Sequence, residues 1–265
     1  MRIYISTNLY KPEQLHLIFG LMDKIGDPLL GIELFPEWNS QVFCNEVTRG
    51  MERFRRYPNS LHGPYVHTEH SKPEGTEEYA RTMDYFRRTL ALSRQLKSRY
   101  IVYHHNNCRV EPRHRDEMIK NSSRNLVKLR CEAEYSGAKL AVENAGVVSR
   151  GNMLFDEAQF ISMAERIPDD ILLDVGHAHA NGWDLHHVMG NLAHKITAYH
   201  VHNNDGYEDQ HNRIREGTLD IAKFFGWYQH YTPQADIVVE YGQQCAEDPD
   251  GIAEDVAYIK QILSK

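Results

Sequence analysis

Along the whole chain, short apolar runs alternate with longer stretches in which apolar positions recur every three or four residues. Runs of the first kind read as buried strands, and those of the second kind as amphipathic helices. Residues 2–6 form the first strand, Pro12 marks a helix first turn, and residues 13–25 carry the helical period. The pair recurs at 30–35 with 41–57, at 60–66 with 76–96, and at 100–104 with 110–136. It continues at 139–143 with 155–166, at 171–174 with 183–194, at 196–202 with 221–231, and at 237–240 with 251–263. Thr76 opens one helix with a capping pattern, Gly137 closes another, and Arg53, Arg55 and Arg56 suit the C-terminal end of a third. Eight strand–helix units predict an α/β protein, a (β/α)8 TIM barrel occupying residues 1–265 as a single domain. A doubly wound open sheet is the alternative.

Composition narrows the class without naming a chemistry. The 265 residues suit one barrel of roughly 250. Hydrophobic residues make up 41% and charged residues 25%, and no apolar run approaches the ~20 residues of a membrane span, so no membrane partner is expected. The N-terminus runs straight into the first strand without the regions of a signal peptide, which gives a cytoplasmic expectation. Cys44, Cys108, Cys131 and Cys245 lie far apart in no metal or disulfide spacing. A net charge of −7 disfavours nucleic acid as a partner while leaving room for a local basic groove. A homo-oligomer is compatible with the sequence.

Candidate chemistry gathers around residues 171–182, where an apolar strand ends at Asp174 and His177 follows in the same turn. Carboxylate and imidazole side by side suit a divalent ion such as Zn²⁺ or Mn²⁺, although such a pair also caps helices. In a TIM barrel the active site lies at the C-terminal ends of the strands. His62, His104, Glu143, Asp174, His177, His202 and Glu240 all fall there, and the loop after the seventh strand adds Asp209 and His211. Nine ligands exceed what one ion uses, so the set predicts one to three ions per chain, or ligands that orient one another. Without an ion, the clustered carboxylates would have to be held by raised pKa values. His16, His114, His186, His187, His194 and His230 fall on predicted helices and read as solvated. His105, His179 and His200 stay open; His200 shares a strand face with His202 and reads as a substrate contact or an inner-barrel residue.

These residues lie within Gly31-Ile32-Glu33-Leu34-Phe35, His62-Gly63-Pro64-Tyr65, Glu143-Asn144, Asp174-Val175-Gly176-His177, His202-Asn203-Asn204-Asp205, Asp209-Gln210-His211 with Glu216-Gly217, and Glu240. In order and spacing the fragments resemble the xylose-isomerase-like TIM barrels, which include sugar isomerases and epimerases and also apurinic endonucleases of the endonuclease IV type. For the isomerase branch the resemblance implies one Mn²⁺, Co²⁺, Mg²⁺ or Zn²⁺ on Glu143, Asp174, His202 and Glu240. Glu143 and Glu240 would be the catalytic proton carriers beside a polarised carbonyl. For the endonuclease branch it implies three Zn²⁺ on all nine positions. Glu33 looks like a polyol contact of the isomerases, His177 touches substrate or a second ion, and Tyr65 matches a DNA-contacting tyrosine that serves equally as a wall for a sugar. Residues 7–10, in place of a Gly-rich loop, lean toward the isomerases.

The expectation is therefore a divalent-metal isomerase or epimerase of a sugar, sugar phosphate or polyol, with a small carbohydrate as partner and zinc or manganese ahead of magnesium or cobalt. A multinuclear zinc phosphodiesterase ranks second, and a metal-containing binding barrel third.

Overall fold

Strand residues alternate between two faces, and in this chain both faces must be covered. A computed structural model describes residues 1–264. Its strands are β1 (Ile3–Ser6), β2 (Gly31–Leu34), β3 (Asn59–Leu61), β4 (Ile101–Tyr103), β5 (Leu140–Glu143), β6 (Asp170–Asp174), β7 (Ile196–Val201) and β8 (Asp236–Val239). They close into a parallel barrel in chain order, with β8 paired to β1. Around it lie α1 (Leu17–Ile25), α2 (Gln41–Phe54), α3 (Glu77–Leu96), α4 (Arg115–Tyr135), α5 (Glu157–Arg166), α6 (Val175–Ala180), α7 (Leu185–Leu192), α8 (Ile221–Tyr231) and α9 (Pro249–Leu263). The TIM-barrel expectation holds.

One set of strand positions, among them Ile5, Ile32, Ile101, Val142, Leu173 and Val239, packs with the helices in a single large core. The alternate set forms a separate small cluster of Tyr100, Val102, Ala141, Leu172 and Ala198, the apolar fill of the barrel interior. Continuing that alternation toward the C-terminal ends brings His104, Glu143, Asp174, His200 and His202 onto the interior face. Gly31 is a requirement of this filling, because a Cβ there would stand 2.3 Å from the Tyr4 ring. At the closing seam Asp236 accepts from Arg2 N at 2.8 Å and pairs with Arg99 at 2.6 Å.

Helix starts are set by side chains that accept from the first turn. Ser40, Thr76, Asp156, Asp184, Asp220 and Asp248 all cap in this way. Several boundaries differ from the sequence reading, among them three that follow β3, β4 and β6. The third strand stops at Leu61, since a Cβ at Gly63 would meet Val102 O at 2.3 Å and Pro64 has no N–H for a ladder. The stretch at 110–136 opens with a 3₁₀ turn, Pro112–His114, before α4 begins. Where a turn was expected after β6, the chain forms α6, too short for its period to stand out in the sequence.

The six histidines expected on helices are exposed. All four cysteines are free, and among the described residues no helix is long and apolar enough to cross a membrane.

Two other histidines are packed behind the barrel mouth. His70 lies against Tyr103 and Phe86, and His105 bonds Ser122 Oγ at 2.9 Å. Burial holds both imidazoles down to about 3. The His70 nitrogens have no well-formed partner, and their approach to the His104 backbone offsets little of that burial. Between about 3 and the unfolded value near 6.5 the unfolded chain binds more protons. Stability is thus intact above that window and declines as pH falls through it, by up to about 1.4 kcal/mol per pH unit for each imidazole. His70→Leu is expected to flatten the acid limb of stability against pH, measured by urea unfolding from pH 4 to 8, without loss at pH 7. An unchanged slope would contradict the account.

Candidate metal centre

Seven strands or their following loops deliver side chains to one place. Asp174 ends β6 and is held at both backbone atoms by Asn144, whose amide donates to Asp174 O at 3.0 Å and accepts from Asp174 N at 2.7 Å. Its carboxylate caps α6 by accepting from His177 N at 2.7 Å. The capping reading of this turn is therefore realised, and the same carboxylate also stands 3.2 Å from His202 Nε2. His202 reaches this position because Gly176 has no side chain; a Cβ there would sit 2.0 Å from His202 Cε1.

The other expected ligands surround this pair. Glu143 Oε2 meets His104 Nε2 at 2.8 Å and lies 3.9 Å from His62 Nε2, while Oε1 lies 3.2 Å from His177 Nδ1. Asp209 contacts His211 Nε2 at 3.1 Å and His177 Nε2 at 3.5 Å. Glu240 stands 3.6 Å from His211 Nδ1 and 3.9 Å from His62 Nε2. His211 holds its place with φ at 51°, a left-handed backbone that few non-glycine residues adopt and that is characteristic of functional sites.

All nine sequence-predicted ligands are thus gathered, and eight of them are buried. Their donor atoms form overlapping groups within 4.8 Å of one another: His62, His104 and Glu143; Asp174, His202 and Glu240; and His177, His202, Asp209 and His211, with two more that bring in His200, one beside His62 and Glu240 and one beside Glu143 and Asp174. Glu143 and His202 are joined through Asp174 and not within one group. Tyr65 lines the cavity above. Glu33 does not: it is fully buried beneath the cluster, bonded to Ser60 Oγ at 3.0 Å and His200 Nε2 at 2.8 Å. It lies deeper in the barrel than the ligands and outside the lining of the cavity. His200, left open in the sequence, belongs to the cluster, and its period-2 spacing from His202 was the available signal.

Burial pushes every carboxylate here upward, and the imidazoles decide the outcome. His104 and His200 outweigh burial at Glu143 and hold it well below the ordinary range. His177 and His202 bring Asp174 down to about 2, and His211 and His177 hold Asp209 lower still. Glu240 alone is pushed up, to about 7, by burial with added repulsion from Glu143 and Asp174. The expectation of raised carboxylate pKa values therefore holds for one residue of four. Against the lowering effect of burial, Asp209 raises His211 to about 9, and Asp174 and Asp209 raise His177.

A divalent ion fits this donor set. Glu143 Oε1, His177 Nδ1, His202 Nδ1 and Asp209 Oδ1 are buried without a well-formed hydrogen bond. Such atoms cost about 1–3 kcal/mol each unless something satisfies them. Mixed imidazole and carboxylate ligands are those of zinc and manganese sites.

Fold and site together define a TIM barrel with a histidine–carboxylate cluster at its C-terminal mouth. The profile of the xylose isomerase-like TIM barrel family matches residues 24–262, and the chain belongs to that family. Among solved structures it resembles a D-tagatose 3-epimerase-like protein, at 19% identity and a TM-score of 0.78 over 98% of this chain and 99% of that one. It also resembles the IOLI protein with a bound zinc atom, at 14% identity and a TM-score of 0.78 over 100% and 98% of the two chains. A D-allulose 3-epimerase from Methylomonas sp. in complex with D-allulose is similar at 12% identity and a TM-score of 0.73, over 98% and 96%. At such identities the likeness is one of fold. Among curated proteins, none matches this chain in sequence.

Two outcomes follow from the geometry. Gly176→Ala is expected to push His202 out of register and weaken Zn²⁺ binding at least tenfold while the far-UV spectrum stays native; unchanged affinity would show that His202 is not a ligand. Because Glu240 and His211 must lose protons to accept a cation, affinity should climb from pH 6 through 7 and on toward 9. Calorimetry in two buffers of different ionisation enthalpy should show protons released at pH 7.

Proposed function

We propose that the chain is a divalent-metal-dependent isomerase or epimerase of a small uncharged sugar or polyol. The observation that carries this reading is the lining of the cavity over the cluster. Its volume, about 490 Å³, suits a single small ligand. Phe35 and Tyr65, with ring centroids 6.0 Å apart, give one wall an aromatic face for the C–H side of a sugar. Asn8, Gln210, Gln243 and Gln244 line the opening with amides, which offer both donors and acceptors to hydroxyls. Among the described residues Arg150 is the one Lys or Arg in the lining, and Asp209 engages it at 2.9 Å. Glu37 adds a carboxylate. Among the described residues a phosphate would meet no unpaired lysine or arginine in this lining, whereas neutral hydroxyls meet partners.

Glu143 and Glu240 are placed in roles that their surroundings push apart. Glu143, kept ionised by His104 and His200 against the pull of burial, is the proton acceptor. Glu240, which gives up its own proton when it holds the ion, is the second proton carrier. Asp174, His202 and Glu240, with Glu143 beside Asp174, would hold the ion, which when bound would polarise a carbonyl and acidify the neighbouring carbon. Tyr65 packs on the substrate, and His177 contacts substrate or a second ion. Glu240→Gln and Glu143→Gln should each lower kcat by about 10² to 10⁴. Solvent deuterium should appear at a carbon beside the carbonyl of an uncharged ketose. No incorporation across a panel of neutral ketoses, with metal bound, would sink the reading.

A second reading has its own support. The overlapping groups of donors suit a multinuclear zinc centre, and the fold family also holds phosphodiesterases. Metal analysis separates the two: one exchangeable ion per chain favours isomerisation, and two or three zinc ions with cleavage of an abasic duplex favour hydrolysis. In either case Asp174→Ala should lower metal occupancy more than His179→Ala, since the His179 imidazole is occupied with Thr218 Oγ1 at 2.8 Å.

A further inference from the structure

β7 sends two imidazoles into the barrel, and they face different donors. His202 Nε2 lies near Asp174 and, at 3.9 Å, Asp209 Oδ1, with its ring stacked on His211 at 3.9 Å. His200 sits two residues earlier and therefore deeper, with no exposure. Its Nδ1 makes no well-formed hydrogen bond, yet it looks onto three carboxylates: Glu240 Oε2 at 3.3 Å, Glu143 Oε2 at 3.4 Å and Asp174 Oδ2 at 3.8 Å.

We infer that His200 is a metal ligand through Nδ1, on the barrel-floor side of the centre, and that Glu33 is the residue that makes it one. The spacing supports this directly. Two donors each about 2.1 Å from one ion stand roughly 3.0–3.6 Å apart at coordination angles of about 90–120°, which takes in the Glu240 and Glu143 contacts of His200 Nδ1, with Asp174 at 3.8 Å just beyond it. The tautomer supports it as well. Glu33 accepts from His200 Nε2 at 2.8 Å, and Ser60 Oγ donates to the other Glu33 oxygen at 3.0 Å. A carboxylate that takes the Nε2 proton leaves Nδ1 with a free lone pair and raises its basicity, the arrangement common behind metal-bound imidazoles. Ser60, Glu33 and His200 form a buried chain that ends at the metal position, and an Nδ1 that faces three carboxylate oxygens calls for a positive centre between them, which a divalent ion supplies when it replaces the proton there.

The inference rests on the reading that the cluster holds a divalent ion, and not on the identity of the substrate. Its test is the visible absorption spectrum and affinity of Co²⁺ in the full chain, His200→Gln, Glu33→Gln and, as a comparator, His179→Gln. Loss of an imidazole from the ion should shift and weaken the d–d bands of His200→Gln. Glu33→Gln, which keeps every ligand, should bind Co²⁺ about ten- to a hundredfold more weakly. His179→Gln should match the parent. Melting of each metal-free variant shows whether it is folded, and Glu33→Gln carries the test if His200→Gln is not. If the parent binds no Co²⁺, the metal reading itself fails. If the parent binds Co²⁺ and both variants keep its spectrum and affinity, His200 is a buried counter-charge to the carboxylates and the inference is overturned.

Discussion

A desolvated space that holds four carboxylates must supply positive charge in the same place, because each acid would otherwise take up a proton. Glu143, Asp174, Asp209 and Glu240 share such a space at the barrel mouth, all at most 7% exposed. The chain answers with imidazoles and not with lysines or arginines. Arg150 is the single guanidinium that reaches the group, and it touches only the outermost acid. An imidazole can serve as counter-charge and, after losing a proton, as ligand, so one set of side chains stabilises the cluster with or without a cation. Lysine is less suited to both, since its ammonium gives up a proton only at about pH 10.

The same requirement explains what the sequence disclosed and what it withheld. Alternation of apolar residues gave the eight strand–helix units, and the position of acids and histidines at strand ends located the mouth without knowledge of any contact. Glu33 misled because its place in β2 was known but its depth was not. An acid one layer below the strand end meets a neighbouring strand's side chain instead of the cavity, and depth depends on stagger between strands that are distant in the chain. His200 was obscured for the complementary reason. A single imidazole on a strand has many uses, and only the closed barrel shows that its free nitrogen faces three acids. α6 was missed because six residues hold less than two turns, too few for a period to register.

The lining of the cavity follows a separate logic from its floor. The floor is fixed by strands, packed and charged, whereas the opening is built by loops carrying amides and aromatic rings. Under the proposed function, chemistry and choice of substrate would fall on different parts of the chain, with the loops exchangeable above the charged layer.

α6 connects those two parts. Asp174 starts this helix, and Asn181 follows its last residue, with side-chain bonds to Val148 N at 2.8 Å and to Gly146 O at 2.9 Å. That segment leads directly to Arg150 at the opening. One short helix is thus anchored at the Asp174 carboxylate on one side and at the 146–148 backbone on the other, so Asn181 ties the loop beside the opening to the floor without being a donor of the cluster.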